Sequence, residues 1–182
     1  MLPPMPSEAA VEKAALRRRM KLVRETVDDH LVRSVELWSL IGALPEYAAA
    51  ANVMAFAGMG TEPDTAPLHA RITAEGKRVL LPRVEAGRIV VCEADGEMAT
   101  SSFGVSEPQG PALEPTVVEF VIVPGLAFTA DGCRLGYGAG FYDRFLASIP
   151  GVPNAGVCFS EQLVDTLPME PHDIRVDRVI SA

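Results

Sequence analysis

The sequence predicts an α/β fold: a single-domain, Rossmann-like three-layer sandwich with a mostly parallel or mixed sheet. Three observations lead there. Short β-branched runs alternate with segments of helical spacing along most of the chain. Two helical segments come first. The glycines, prolines and charged residues that interrupt the pattern cluster just after strands, where α/β proteins place ligands. At 182 residues the chain fits one domain with a sizeable core, residues 1–182 with 1–6 as a loose tail.

Ser7 is an N-cap for a helix over residues 7–27, whose apolar face carries Leu16, Met20, Val23 and Val27. Lys13, Arg17, Lys21 and Arg24 form a basic stripe beside that face. For Lys21 and Arg24 a solvated edge is the reading. Asp28 or Asp29 caps a second helix with Leu31, Val35, Trp38 and Ile41 inward, ending near 42–45. Residues 52–56 are the first strand. The loop after it holds two glycines, Glu62, Pro63 and Asp64, and Thr65 or Asp64 caps the next helix, 66–75. Asp64 reads as charge complementing that helix's dipole. Residues 78–81 form a strand stopped by Pro82. Residues 89–93 form another, paired with it as a hairpin across 85–87. The stretch 100–115 is loop-rich and reads as a wall of the site. Then come a strand at 120–123, a glycine-rich turn, a helix carrying Phe141, Phe145 and Ser148, a strand at 154–159, a short helix at 161–164 and a last strand at 179–180.

A net charge of −8 argues against nucleic-acid and anionic-membrane partners. No stretch reaches the ~20 apolar residues of a membrane span. The start, Met-Leu-Pro-Pro-Met-Pro-Ser, lacks the pattern of a secretory signal. Cys92, Cys133 and Cys158 fit neither a disulfide framework nor a zinc spacing, which suits a reducing, cytoplasmic compartment. Cys133 reads as a small loop residue rather than a nucleophile, and His30, His69 and His172 as surface or loop residues.

The chemistry concentrates at 131–145. The strand at 120–123 ends at Pro124-Gly125, and Gly136, Gly138 and Gly140 follow at alternate positions before a helix. Such a segment is either a flexible turn or a phosphate cradle, in which backbone N–H groups and a helix N-terminus face the anion. Arg134 and Arg144 add positive charge, and Asp143 suits a Mg²⁺ ion beside a phosphate. The spacing matches neither the Walker pattern nor the dinucleotide fingerprint.

The full string, Arg134-Leu135-Gly136-Tyr137-Gly138-Ala139-Gly140-Phe141-Tyr142-Asp143-Arg144, closely resembles the signature of the 5-formyltetrahydrofolate cyclo-ligases. Four other places resemble that family in the same order: Lys13-x-x-x-Arg17, Glu62-Pro63-Asp64-Thr65, Phe103-Gly104-Val105-Ser106-Glu107-Pro108, and His172-Asp173 with Asp177. The resemblance implies ATP- and Mg²⁺-dependent closure of 5-formyltetrahydrofolate to 5,10-methenyltetrahydrofolate by a monomer. It implies Lys13, Arg17 and the whole run Arg134 to Tyr142 around ATP, with Arg134, Tyr142 and Arg144 acting in catalysis. It implies Ala57, Glu62, Tyr137, Gly138, Gly140, Phe141 and Tyr142 against the folate, and Asp143 and Asp173 as Mg²⁺ ligands. Asp177 either acts nearby or caps structure. Lys21 and Arg24 are candidates for a polyglutamate tail on the folate. Tyr137 and Ala139 stand where some members carry Arg and Lys, and Pro63 stiffens its loop.

Overall fold

A computed structural model describes residues 7–102 and 104–182; the expected tail at 1–6 and Phe103 lie outside those residues. The first half runs α1 (Glu8–Glu25), α2 (His30–Gly42), α3 (Pro45–Ala49), β1 (Asn52–Met54), α4 (Ala66–Ala74), β2 (Arg78–Glu85) and β3 (Arg88–Glu93). The second half runs β4 (Met98–Thr100), β5 (Ser106–Pro108), β6 (Phe120–Pro124), β7 (Ala127–Phe128), β8 (Arg134–Leu135), α5 (Phe141–Ser148), β9 (Asn154–Cys158) and β10 (Arg178–Ser181).

The main sheet has the order β10-β9-β6-β1-β2-β3. Its first five strands are parallel, and β3 is an antiparallel edge. This is the α/β sandwich expected, with mixed direction at one edge. The central strands alternate between two cores, because successive side chains point to opposite faces. Val53, Phe120, Ile122, Ala155 and Val157 pack under α2, α3 and α4. Met54, Val121, Val123 and Cys158 face the other way, onto Phe145, Leu146 and Ile149 at α5. α1 packs through Met20 on Leu126, Ala127 and Leu135, over the small β7–β8 hairpin. Gly156 gives Phe128 its room: a Cβ there would sit 2.3 Å from the ring.

Four details differ from expectation. The buried face of α2 is Ser34, Leu37, Trp38 and Ile41, while Leu31 and Val35 are exposed. The Ser34 hydroxyl donates to the His30 carbonyl and accepts from the Asp64 N–H, so a polar residue faces inward where an apolar one was expected. α2 ends at Gly42, as expected, but a further short helix, α3, opens at Pro45 and was not read from the pattern. Pro82 does not stop β2. Its nitrogen lies on the edge shared with β1, which has already ended, so the strand loses no ladder bond there. The β7–β8 hairpin, two residues per strand, was not expected from the pattern. The β2–β3 hairpin is as expected, turning at Ala86 and Gly87, both at positive φ.

Candidate active site

The loops at the C-terminal ends of β1 and β6, with α1 and the 170–173 segment, enclose a cavity of about 410 Å³. One end is polar and is lined by Lys13, Arg17, Arg134, the glycine-rich loop, Asp143, Glu170 and Asp173. The other is mostly apolar, lined by Phe56, Ala57, Met59, Pro82, Val84, Ile89 and Val105, with the two carboxylates Glu62 and Glu107.

The glycine-rich loop is shaped by its neighbours. The Arg17 Nε donates to the Gly136 carbonyl at 2.9 Å. Gly138 has φ +109°, and a Cβ there would lie 3.3 Å from the Arg17 guanidinium carbon. Gly140 caps α5 at φ +64° without a side chain. The backbone thus passes close under α1 in conformations that L side chains rarely adopt.

At the polar end cations and carboxylates are matched. The Lys13 Nζ lies 2.5 Å from Asp173 and 2.8 Å from Glu170. Burial alone would lower the Lys13 pKa, but its bonds to Asp173 and Glu170 outweigh that and hold it above the ordinary value. Burial likewise pushes Asp173 up, and its bonds from Lys13 and from the Glu170 N–H more than reverse it. Arg134, 8% exposed, pairs with Asp143 at 2.9 Å. The Ile174 N–H, next to Asp173, donates to Asp143 at 3.2 Å, which brings the two expected metal-ligand segments together. The Arg134 Nε and the Tyr142 hydroxyl are buried with no hydrogen-bond partner among the described residues. Burial and the Glu62 charge push the Tyr142 pKa up, so this hydroxyl stays a donor at neutral pH.

At the apolar end the loop after β1 is held from α2. The Trp38 indole donates to the Asp64 carbonyl at 2.7 Å, and the Thr65 hydroxyl accepts from the Gly58 N–H at 3.0 Å. This presents Glu62, 8% exposed, to the cavity. Glu62 accepts from the Met59 N–H at 3.0 Å and from the Tyr137 hydroxyl. The Arg24 Nη1 donates to the same hydroxyl at 2.8 Å and lies 3.6 Å from Glu62, while its Nε donates to the Thr61 hydroxyl.

Of the expected site residues, Lys13, Arg17, Ala57, Glu62, the run Arg134 to Tyr142, Asp143 and Asp173 all line this cavity. Arg144 does not. It is exposed, stacks over Phe141 and donates to the Gly87 carbonyl across the β2–β3 turn. Asp177 exchanges hydrogen bonds with Asn154 and is structural. Thr65 is the N-cap of α4, and the Asp64 carboxylate accepts from the Ala66 N–H at that helix's N-terminus. Cys133 is a buried loop residue whose N–H donates to Thr129. His69 lies within α4, half-buried against the Phe56 carbonyl, rather than on a loop. His172 is exposed at the cavity rim.

The solvated-edge reading of Arg24 is corrected: it is 5% exposed and clamps Tyr137 and Glu62. At 100° per residue, Arg24 falls about 20° from Lys13 on the helix, nearer than Arg17 at about 40°. That signal was present in the spacing. Glu107 follows Val105 at the strand period of two and shares its side, a signal the loop-rich reading hid. Glu170 has no such signal.

No helix among the described residues is long and apolar enough to cross a membrane. Residues 9–182 match the sequence model of the 5-formyltetrahydrofolate cyclo-ligase family. A 5-formyltetrahydrofolate cyclo-ligase of Mycolicibacterium smegmatis is 32% identical over 181 residues, covering 93% of each chain. One from Mus musculus is 25% identical over 185 residues, covering 92% of this chain and 90% of its own. The solved structure of Aquifex aeolicus 5,10-methenyltetrahydrofolate synthetase is similar at a TM-score of 0.81 and 31% identity, covering 93% of this chain and 89% of that one. A Mycoplasma pneumoniae 5,10-methenyltetrahydrofolate synthetase, 20% identical, shares the fold at a TM-score of 0.76 over 93% of this chain and 98% of its own.

Proposed function

The chain belongs to the 5-formyltetrahydrofolate cyclo-ligase family and converts 5-formyltetrahydrofolate to 5,10-methenyltetrahydrofolate; from that premise we propose that it uses ATP and Mg²⁺ and works through a phosphorylated formyl group. The observation that carries the proposal is that one cavity is lined by paired cations and carboxylates, by the glycine-rich loop and by an apolar wall with Glu62.

The polar end suits a metal-bound triphosphate. Lys13 and Arg134 are each paired with a carboxylate of the type Mg²⁺ prefers. A triphosphate with its metal would exchange partners with the resident pairs: its phosphates would take Lys13, Arg17 and Arg134, and Asp143 and Asp173 would hold Mg²⁺. The unpartnered Arg134 Nε and Tyr142 hydroxyl are donors for phosphate oxygens, or for the oxygen shared with the formyl group. Bound there, Mg²⁺ would neutralise charge on the transferring phosphoryl group.

The apolar end suits the reduced pterin. Glu62 accepts its N–H groups, and Phe56, Val84 and Ile89 cover its faces. The formyl oxygen attacks the γ-phosphorus and ADP leaves. The formyl carbon then carries a phosphate ester and an iminium bond to N5. N10 attacks that carbon, the C–O bond breaks with phosphate as leaving group, and N10 loses its proton. These steps need alignment and donors aimed at developing charge more than covalent help. Lys13, Arg17 and Arg134 hold the phosphates, and Glu62 and Tyr137 fix the pterin. We propose further that residues 1–182 act as one domain, as a monomer in the cytoplasm, on folates with or without a polyglutamate tail.

The test is turnover of the purified protein with 5-formyltetrahydrofolate, ATP and Mg²⁺. The methenyl chromophore and ADP should grow together in equal amounts. Both should vanish with EDTA, and both should fall at least a hundredfold in Asp143→Asn. Methenyl formation without ATP, or without the metal, would sink the proposal.

A further inference from the structure

Five carboxylates line the cavity: Glu62, Glu107, Asp143, Glu170 and Asp173. Four have a cation beside them: Arg24 for Glu62, Arg134 for Asp143, and Lys13 for both Glu170 and Asp173. Glu107 has no ion pair among the described residues. It is nonetheless 8% exposed, as buried as Glu62. Its one side-chain bond is from the Val84 N–H to Oε1 at 3.3 Å, a long contact, and its other oxygen has no partner among the described residues. Arg83, beside Val84 on β2, directs its guanidinium to the Pro108 and Gly110 carbonyls and to Glu85. The side chains sharing that end of the cavity with Glu107, Pro82, Val84, Ile89 and Val105, are apolar.

A buried carboxylate without a cation is costly, and it offers only acceptors. The free oxygen faces the cavity and is open to water, so a ligand that displaces that water has to bring a donor in its place. ATP phosphates are acceptors and are repelled. A reduced folate carries several N–H groups on its pterin and one at N10. We propose that Glu107 is a second substrate-reading carboxylate, accepting a hydrogen bond from an N–H of the reduced folate on the wall formed by β2 and β5. With Glu62 it would hold the folate between two fixed acceptors, and so set which folates fit. This inference rests on the cyclo-ligase reading above.

A purely structural role is the competing account, in which Glu107 merely ties β5 to the open edge of β2 at Val84. Steady-state kinetics on Glu107→Leu and Glu107→Gln separate the two. Loss of one hydrogen bond to a charged acceptor should raise KM for 5-formyltetrahydrofolate by about tenfold to a hundredfold in Glu107→Leu. KM for ATP, kcat and the thermal midpoint should stay close to wild type. Glu107→Gln keeps the shape and one acceptor, so it should fall between the two. If the leucine variant does not fold, the glutamine variant decides: a rise of about threefold or more in the folate KM alone supports the assignment. An unchanged folate KM, or equal rises for both substrates, overturns it in favour of the strand tie. A fall in kcat with unchanged KM and a lost limb in the pH–rate profile overturns it in favour of proton transfer. A wild-type protein that does not turn over at all would instead sink the cyclo-ligase reading, which keeps the two failures distinct.

Discussion

Replacing Arg24 by methionine should damage both stability and folate binding while sparing ATP. The arginine is 5% exposed and holds three groups: the Thr61 hydroxyl at 3.0 Å, the Tyr137 hydroxyl at 2.8 Å and the Glu62 carboxylate at 3.6 Å. Methionine keeps most of the apolar stem, so the loss is mainly electrostatic. Glu62 would keep only the Met59 N–H and the Tyr137 hydroxyl. Removing one partner of a buried ion pair costs about 3–5 kcal/mol. The cavity lets water reach Glu62, so the lower end applies, roughly 3 kcal/mol. For a chain of this length that corresponds to a drop in thermal midpoint of about 6–12 °C. KM for 5-formyltetrahydrofolate should rise at least tenfold and KM for ATP about twofold or less, because Arg24 touches the Glu62 loop rather than Lys13 or Arg134. The double variant Arg24→Met with Glu62→Gln removes the stranded charge. It should be more stable than Arg24→Met alone, with a coupling above about 1 kcal/mol. Thermal melts and steady-state kinetics on the four proteins are the assay. Additivity within about 0.5 kcal/mol, or an unchanged folate KM, would refute the clamp.

Gly138→Ala should fold but raise KM for ATP, since a Cβ at φ +109° is strained and presses on the Arg17 guanidinium; an unaltered KM would show that the loop has slack there. Gly156→Ala should be more destabilising, by about 3 kcal/mol or more, because a Cβ would lie 2.3 Å from the fully buried Phe128 ring; a midpoint within about 2 °C of wild type would contradict that packing. Arg33 grips Glu161 with two bonds of 2.7 and 2.6 Å and holds its carboxyl below the ordinary 4.5. The unfolded chain then takes up that proton first as pH falls, so this contribution is full at neutral pH and is lost as the pH drops through the folded value. Arg33→Met should accordingly lose less thermal stability between pH 6 and pH 3 than wild type; parallel pH profiles would deny the linkage.

Much of this was legible in the sequence because local rules and tertiary packing agree. Val121 and Val123 sit in a β-branched run that ends at Pro124-Gly125, so their strand could be read. Gly136, Gly138 and Gly140 marked the loop, and at Gly138 and Gly140 the backbone does take the positive φ that favours glycine. What was missed depends on three-dimensional approach. Ser34 faces inward because it satisfies Asp64 across 30 residues of chain. Arg24 looked like the exposed end of a basic stripe until Tyr137 and Glu62 were brought against it from 113 and 38 residues away, the latter being the difference between positions 62 and 24. Arg144 carries the right charge in the right motif, yet its position on α5 turns it toward Gly87 and out of the cavity. Glu107 lay in a stretch that reads as loop, which hid its period-two relation to Val105.

The central claim is that one cavity aligns the formyl oxygen with the γ-phosphate. Its most direct test is to supply 5-formyltetrahydrofolate labelled with oxygen-18 in the formyl group and to analyse the phosphate released by mass spectrometry. Each phosphate released should carry one labelled oxygen, at the same enrichment as the substrate. Unlabelled phosphate, with the label recovered in water, would mean that the formyl oxygen is never phosphorylated and would contradict it.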